Sequence, residues 1–154
     1  PKNGGDTMFA NAAYVYEQLD PLFAKYLESL KVIQSPDATG HITDRYLDPE
    51  EAAEARRRMP PFEMPLIRVH PESGRKWVAV SESYVCYIKG VSRVHSQNIL
   101  GILFDMIKSP EATCRFEWRE GTLAVWDNRV VQHRAVKDYN TGSTRQLYRC
   151  TMTQ

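Results

Sequence analysis

The sequence is short of cysteine, of long apolar runs and of charge of one sign. Three cysteines in 154 residues, none in a CxxC pair, cannot build a disulfide framework, which favours a reducing, cytoplasmic setting. No apolar run approaches the roughly 20 residues of a transmembrane helix, and no signal peptide opens the chain, so we expect no membrane partner. Twenty basic and nineteen acidic residues give a net charge of +1, which provides no global field to attract nucleic acid.

The composition that is present is ordinary for a globular protein. Hydrophobic residues make up 42% of the chain and charged residues 25%, and this length can bury the core of one domain. We therefore expect residues 1–154 to form a single domain. The opening stretch PKNGGDTMF has no initiator methionine and begins like a loop, so we also expect that it was cut from a larger protein.

Helical patterns dominate the first half of the chain and short strand patterns dominate the second. Asp20 and Asp48 each precede a proline and begin a predicted helix, because aspartate caps a helix and proline suits its first position. Further helices are predicted over AAYVYEQL and SQNILGILFDMIKS, and a loop over residues 35–41. The predicted strands are DTMFA, PLIRV, KWVAV, SYVCYI, TCRFEWRE, TLAVWDN, VVQHRAV and RQLYRCTM. This order predicts an α+β fold with an antiparallel barrel or jelly roll.

Several polar groups favour a structural interpretation over a functional one. Arg56–Arg58 ends a predicted helix, where cations suit the helix dipole, and no aromatic stacking platform accompanies it. His70–Glu72 has the His-x-acid spacing of a facial iron site. Its proline and a nearby glycine instead predict a hairpin tip, with both polar side chains pointing into water. His41 and His95 lie in polar, loop-like stretches and indicate no site.

His133 and the two arginines that follow it are stronger candidates for a site. If TRQLYRCT is a strand, Arg145 and Arg149 share one face. They would then lie about 13 Å apart, at roughly 3.3 Å per residue. Two cations on one face of a barrel strand are costly unless anions meet them. These residues alone allow two interpretations: one metal ligand with two anion clamps, or structurally paired side chains.

Four motifs in matching order resemble the TauD/TfdA family of iron(II)- and 2-oxoglutarate-dependent dioxygenases. They are GGDTMFAN, HPESGRKW, WREGTLAVWDNRVVQHRAVKDY and RQLYR. The resemblance covers nearly the whole chain, and the block from WDNR to the histidine, with the downstream arginines, is its specific part. It implies a double-stranded β-helix, or jelly roll, with flanking helices around one iron.

The resemblance also implies a role for individual residues. His133 matches the distant histidine ligand of Fe(II), and Arg145, twelve residues later, matches the arginine that binds the far carboxylate of 2-oxoglutarate. Thr7 would add a hydroxyl to the same carboxylate. Arg149 would bind the anionic group of the substrate, and Tyr84 would pack beside the substrate. These residue types suit the roles, because imidazole binds iron and a guanidinium fork binds a carboxylate or sulfonate.

The activity that the resemblance implies is the oxidation of a small anionic substrate by O2. In the same reaction 2-oxoglutarate becomes succinate and CO2, and an alkyl sulfonate such as taurine would release sulfite. A sulfate ester is the second implied substrate class. In the family a His-x-Asp pair supplies the other two iron ligands upstream of the GGDT motif, and this sequence has no such pair there.

We therefore expect the chain to be the C-terminal portion of a family domain, with a jelly roll that is incomplete on its N-terminal side. Open strand edges and an exposed apolar face would then favour association into homo-oligomers. Two hypotheses remain open at this point. The chain is part of an active dioxygenase, or it is a non-catalytic anion-binding or interaction domain that lacks the His-x-Asp ligands.

Overall fold

The computed structural model describes residues 4–35, 38, 48–139, 142 and 144–152 of the chain. His41 and most of the loop predicted over residues 35–41 lie outside the described residues. The described elements, in chain order, are β1 (Thr7–Asn11), α1 (Ala12–Glu17), α2 (Pro21–Glu28), β2 (Lys31–Gln34), α3 (Pro49–Arg58), β3 (Phe62–Pro65), β4 (Ile67–Val69), β5 (Lys76–Val78), β6 (Val85–Ile88), α4 (Arg93–Lys108), β7 (Thr113–Phe116) and β8 (Val131–Ala135).

The helices begin where their capping residues place them. The Asp20 carboxylate accepts the amide of Leu22 at 2.9 Å, and the Asp48 carboxylate accepts the amide of Glu51 at the same distance. Both predicted Asp-Pro helix starts are thus confirmed, because each side chain satisfies an amide that has no partner within its helix. Among the described residues, none of the helices combines the length and the apolar composition that a membrane crossing requires.

The strands in the described part of the chain pair antiparallel throughout. They form a three-stranded sheet in the order β7-β1-β8, a second in the order β3-β2-β6, and the hairpin β4-β5. This arrangement confirms the mixture of helices and antiparallel strands, and it confirms the hairpin predicted around residue 70. Because β1 is the central strand of its sheet, its side chains meet neighbours from both β7 and β8.

One hydrophobic cluster joins the helices to the sheets. Helix α1 packs against β5, and α4 contacts β6 and β1. Ala10 of β1 is part of this cluster, so the opposite face of β1 is turned away from the core. The fully buried apolar side chains of this hydrophobic cluster are Val15, Leu27, Val32, Leu66, Val78, Val80, Ile88 and Leu103.

Two strand predictions are wrong and two strands were not predicted. Residues 144–152, which contain the predicted strand RQLYRCTM, have no regular structure, and neither do the residues of the predicted strand TLAVWDN. A strand needs a partner for its backbone groups, and no neighbouring strand of the described chain pairs with either segment. Strands β2 and β3 were missed because each has only four residues, beside a helical pattern or a proline pair.

Candidate active site

Two of the candidate site residues, Thr7 and His133, lie on one face of the sheet β7-β1-β8. Side chains alternate along a strand, so Thr7 and Phe9 share the face of β1 that is opposite to Ala10. The antiparallel register pairs Thr7 with Ala135 and Phe9 with His133. Directly paired residues project from the same face. Thr7 and His133 therefore lie on one surface although they are far apart in the sequence.

Aromatic rings cover one side of His133, and its other side is exposed. Its ring centroid lies 6.1 Å from that of Phe9 and 5.1 Å from that of Trp126. Partial burial by these neighbours lowers the pKa of the imidazole below its ordinary value, and the positive charge of Arg149 lowers the pKa further. The ring is therefore neutral at pH 7, which is the form that can bind a metal ion.

Arg145 is joined to the beginning of β1. Its Nε donates to the carbonyl oxygen of Gly5 at 2.6 Å, and its Nη2 donates to Oγ1 of Thr7 at 3.2 Å. Because residues 144–152 form no strand, these bonds and not a sheet ladder set the position of the guanidinium. No carboxylate of the described chain pairs with Arg145. Its remaining N–H groups are available to an anionic ligand.

A second cluster of charges holds the glycine turn before β1. The Nε of Arg115 donates to the Asp6 carboxylate at 2.6 Å, and its Nη2 donates to the Asp138 carboxylate. Asp138 also accepts the amide of Gly5 at 2.8 Å. A Cβ at Gly4, where φ is +77°, would lie 2.7 Å from the same carboxylate, so the turn requires glycine there. One arginine thus bridges the two aspartates and ties the turn to the segment that contains Asp138.

Trp118 is a member of this site that the sequence analysis did not identify. Its indole Nε1 donates to Oγ1 of Thr7 at 2.9 Å. Its ring meets Phe116 edge-on, with centroids 5.1 Å apart and an interplanar angle of 77°. Trp118 follows the end of β7 by two residues, and strand alternation places it on the side of Phe116. That alternation in the stretch CRFEW was the available signal.

His70 is buried, and the prediction that its side chain points into water is wrong. Only 7% of the residue is exposed. Its Nδ1 accepts the amides of Glu72 and Ser73 at 3.3 and 3.1 Å, and its Nε2 lies 2.8 Å from Oδ2 of Asp127. Two donors at Nδ1 place the ring proton on Nε2, so the ring donates to the carboxylate. These hydrogen bonds give both ring nitrogens a partner and so compensate the free-energy cost of burying the imidazole. The turn pattern alone predicted an exposed side chain because it contains no information on these partners.

Asp127 connects this histidine to the segment that enters β8. Its Oδ1 accepts the amide and the Nε of Arg129, both at 2.9 Å, and its carbonyl oxygen accepts the amide of Val131 at 3.1 Å. Arg129 also donates to Glu72 at 3.0 Å. The bonds from Arg129, followed by the bond from His70, hold the pKa of the Asp127 carboxyl well below its usual range. The network therefore fixes the turn that follows Trp126, and the ring of Trp126 contacts that of His133.

Two predicted site residues have weaker links to this face. Tyr84 lies in the turn before β6, where its amide donates to Ser81 and its carbonyl oxygen accepts the amide of Ser35. The described contacts do not join Tyr84 to His133. Arg149 lies in the segment without regular structure and is exposed, so the cost expected for two cations on one face of a barrel strand does not apply to it. Its link to the site is the electrostatic effect on the imidazole.

The described residues fit part of an iron site. His133 offers a neutral imidazole, and a facial site needs two further ligands, usually a second histidine and a carboxylate. No group of three or more histidine, cysteine, aspartate or glutamate side chains within the described ranges is arranged to hold a metal ion. The arrangement can thus contribute one metal ligand beside an anion-binding pair.

The fold and the site define an α+β protein in which a buried threonine and a histidine share one face of an antiparallel sheet and an arginine bonds to that threonine. The family model described as "Taurine catabolism dioxygenase TauD, TfdA family" matches residues 1–151. The chain belongs to the TauD/TfdA family.

Two named proteins and one solved structure are similar to this chain over most of its length. The chain is 35% identical to the alpha-ketoglutarate-dependent dioxygenase cnsM of Penicillium expansum, over 98% of this chain and 42% of that protein. It is 33% identical to the alpha-ketoglutarate-dependent sulfate ester dioxygenase of Pseudomonas putida, over 92% and 48%. The crystal structure of a taurine dioxygenase from Burkholderia xenovorans matches with a TM-score of 0.70 at 33% identity, over 88% and 41%. The chain spans less than half the length of each of these proteins.

Proposed function

We propose that this chain forms part of an Fe(II)- and 2-oxoglutarate-dependent dioxygenase and that its sheets belong to a double-stranded β-helix. Family membership and the alpha-ketoglutarate-dependent relatives support the proposal. The observation that carries it is the position of Arg145, which has no carboxylate partner in the described structure and contacts Thr7 on the face that also bears His133.

In this proposal Arg145 and Thr7 bind the far carboxylate of 2-oxoglutarate. A guanidinium fork and a hydroxyl donor together satisfy two carboxylate oxygens. The row of side chains that contains His133 is two strand residues away from the row of Thr7, or about 6.6 Å. A short dicarboxylate can therefore contact both rows of the sheet.

His133 would hold the iron as one of its ligands, and the described residues do not by themselves complete a three-ligand site. When bound, Fe(II) supplies the activation of O2 that oxidises the substrate while 2-oxoglutarate becomes succinate and CO2. The part of this chain is to keep the imidazole neutral, through the rings of Phe9 and Trp126, and to orient it on β8. Oxidation at carbon then adds one oxygen atom of O2 to the substrate and the other to succinate.

The proposed substrate is a small anion, either an alkyl sulfonate such as taurine or a sulfate ester. Two of the proteins named above are a sulfate ester dioxygenase and a taurine dioxygenase. The charge of Arg149 reaches His133, which supports a role in attracting an anion to this face. Hydroxylation of a sulfonate at the carbon next to sulfur gives an adduct that breaks down to an aldehyde and sulfite. Tyr84 remains a proposed neighbour of the substrate.

The test uses the dioxygenase of which this chain is proposed to form part. It supplies that protein with Fe(II), ascorbate, 2-oxoglutarate and a panel of sulfonates, sulfate esters and neutral compounds, and it measures succinate and sulfite. Arg145→Ala should raise the KM for 2-oxoglutarate about tenfold to a hundredfold, because a hydrogen bond to a charged group is lost. Arg149→Ala should raise the KM for the anionic substrate instead. Arg68→Ala, which removes an exposed cation over the ring of Trp77, is the matched control. Turnover of neutral compounds alone would refute the anionic substrate.

A second candidate is a non-catalytic anion-binding domain. It is favoured by the finding that no group of three or more histidine, cysteine, aspartate or glutamate side chains among the described residues could hold a metal ion. In this case calorimetry would detect binding of 2-oxoglutarate that weakens in Arg145→Ala, and the same protein would produce no succinate with any substrate. Succinate production that depends on Fe(II) excludes it.

A further inference from the structure

We propose that Trp118 is a positioning residue that orients the hydroxyl of Thr7, so that the hydroxyl proton points at the carboxylate of the bound anion. The identity of that anion as 2-oxoglutarate rests on the proposed function. The orientation of the hydroxyl rests only on the hydrogen bonds of the protein.

The hydroxyl of Thr7 has one proton to donate and two lone pairs that accept. Trp118 donates to this oxygen at 2.9 Å, and Arg145 donates to it at 3.2 Å. Both accepting positions are therefore occupied by N–H groups. Within the described ranges the hydroxyl donates to no side chain or carbonyl group.

The chemistry of the two neighbours excludes the reverse orientation. An indole N–H and a guanidinium can only donate hydrogen bonds, so neither Trp118 nor Arg145 can accept the proton of Thr7. The O–H bond must point away from both groups. Because Thr7 is only 5% exposed, water has little access to this proton, and a buried donor without an acceptor costs free energy. A carboxylate oxygen bound by Arg145 removes that cost.

Trp118 is itself held in place, so it can act as a fixed donor. Its ring packs edge-on against Phe116, the last residue of β7. On its other side, the amide of Arg119 donates to the hydroxyl of Thr122, and the amide of Thr122 donates to the carbonyl oxygen of Arg119. This tight turn anchors the backbone directly after the indole. Trp118, Arg145 and the Thr7 proton together thus direct donors to one point, which favours an acceptor such as a carboxylate oxygen there.

The hydrogen bond can be tested by NMR on the 154-residue chain, independently of activity. The chain has three tryptophans, so three indole N–H signals are expected, and single Trp→Phe variants assign them. Thr7→Val keeps the shape of the side chain and removes the oxygen. It should shift the Trp118 signal and speed its exchange with water, while the Trp77 signal stays in place. An unchanged Trp118 signal in Thr7→Val would overturn the inference.

The functional part is tested by a double-mutant cycle with 2-oxoglutarate in the iron-loaded dioxygenase of which this chain is proposed to form part. Trp118→Phe should raise the KM for 2-oxoglutarate about twofold to tenfold, the range for one lost hydrogen bond, with kcat at saturation nearly unchanged. Trp77→Phe, at another half-buried tryptophan, should leave both constants unchanged. Because Trp118 acts through Thr7, adding Trp118→Phe to Thr7→Val should cause no further loss.

The outcomes separate this inference from the proposed function. Additive effects of the two substitutions would mean that Trp118 acts by packing alone, and they would overturn the positioning role. If no turnover is detected, the proposed enzymatic function fails, and binding of 2-oxoglutarate is followed through the Trp118 indole signal instead. That signal should respond to 2-oxoglutarate in the unmodified chain and lose its response in Thr7→Val. Binding by calorimetry without any such response would also refute the inference.

Discussion

Replacing His70 by leucine should destabilise the protein by about 2 kcal/mol, because one charge-assisted hydrogen bond is lost. The ring donates to Asp127 at 2.8 Å from a buried position, so its removal leaves that carboxylate with Arg129 as its remaining side-chain partner. Leucine has a similar volume, so the cavity contribution is small. The two amides that bind Nδ1 belong to exposed residues of the hairpin tip and can turn to water. Their loss adds little.

The assay is urea unfolding with linear extrapolation, in which the midpoint should fall and the slope should stay constant. His70→Gln is the informative second variant, because an amide group can donate to Asp127 and accept a backbone N–H. It should recover about 1 kcal/mol of the loss. His95→Leu is the matched control. His95 is exposed on α4, and its replacement should change stability by less than about 0.5 kcal/mol.

A result for His70→Leu within the range of the His95 control would refute the reasoning. It would mean that the bond to Asp127 contributes no more than the hydration it replaces. A coupling energy near zero between His70→Leu and Asp127→Asn would have the same consequence, since residues in direct contact within one hydrogen-bond network are expected to be non-additive.

Three further predictions concern pH, metal binding and association. Because the folded pKa of Asp127 lies below the unfolded value of 3.8, its stabilising effect is present above about pH 5 and is lost as the pH falls towards the folded pKa. Urea midpoints from pH 2 to 7 should therefore vary less steeply in Asp127→Asn, and an equal slope would contradict this. The 154-residue chain should bind Fe(II) weakly because His133 is a single ligand; tight stoichiometric binding in calorimetry that His133→Ala abolishes would show that other ligands exist. The chain should also self-associate, since Leu123 and Val125 are 86% and 82% exposed. Sedimentation should show Leu123→Lys with Val125→Lys shifted towards monomer, and a monomeric unmodified chain would contradict the prediction.

The sequence by itself determined the features that depend on neighbouring residues. The helix starts at Asp20 and Asp48 follow from a capping side chain that directly precedes a proline, and both formed as predicted. Strand β8, with His133, lies within the predicted strand VVQHRAV. The motif resemblance predicted the family, and it selected Thr7 and Arg145 before any contact between them was known.

Only the tertiary structure decided how these residues meet. The partners of Thr7 are 111 and 138 positions away in the chain, at Trp118 and Arg145. No local pattern predicts such pairs, because they depend on the register that sets β7 and β8 beside β1. Burial of His70 likewise required a carboxylate 57 positions away. The predicted strand through Arg145 failed for the same reason: alternation is a local property, whereas a strand needs a partner that only the assembled sheet can supply.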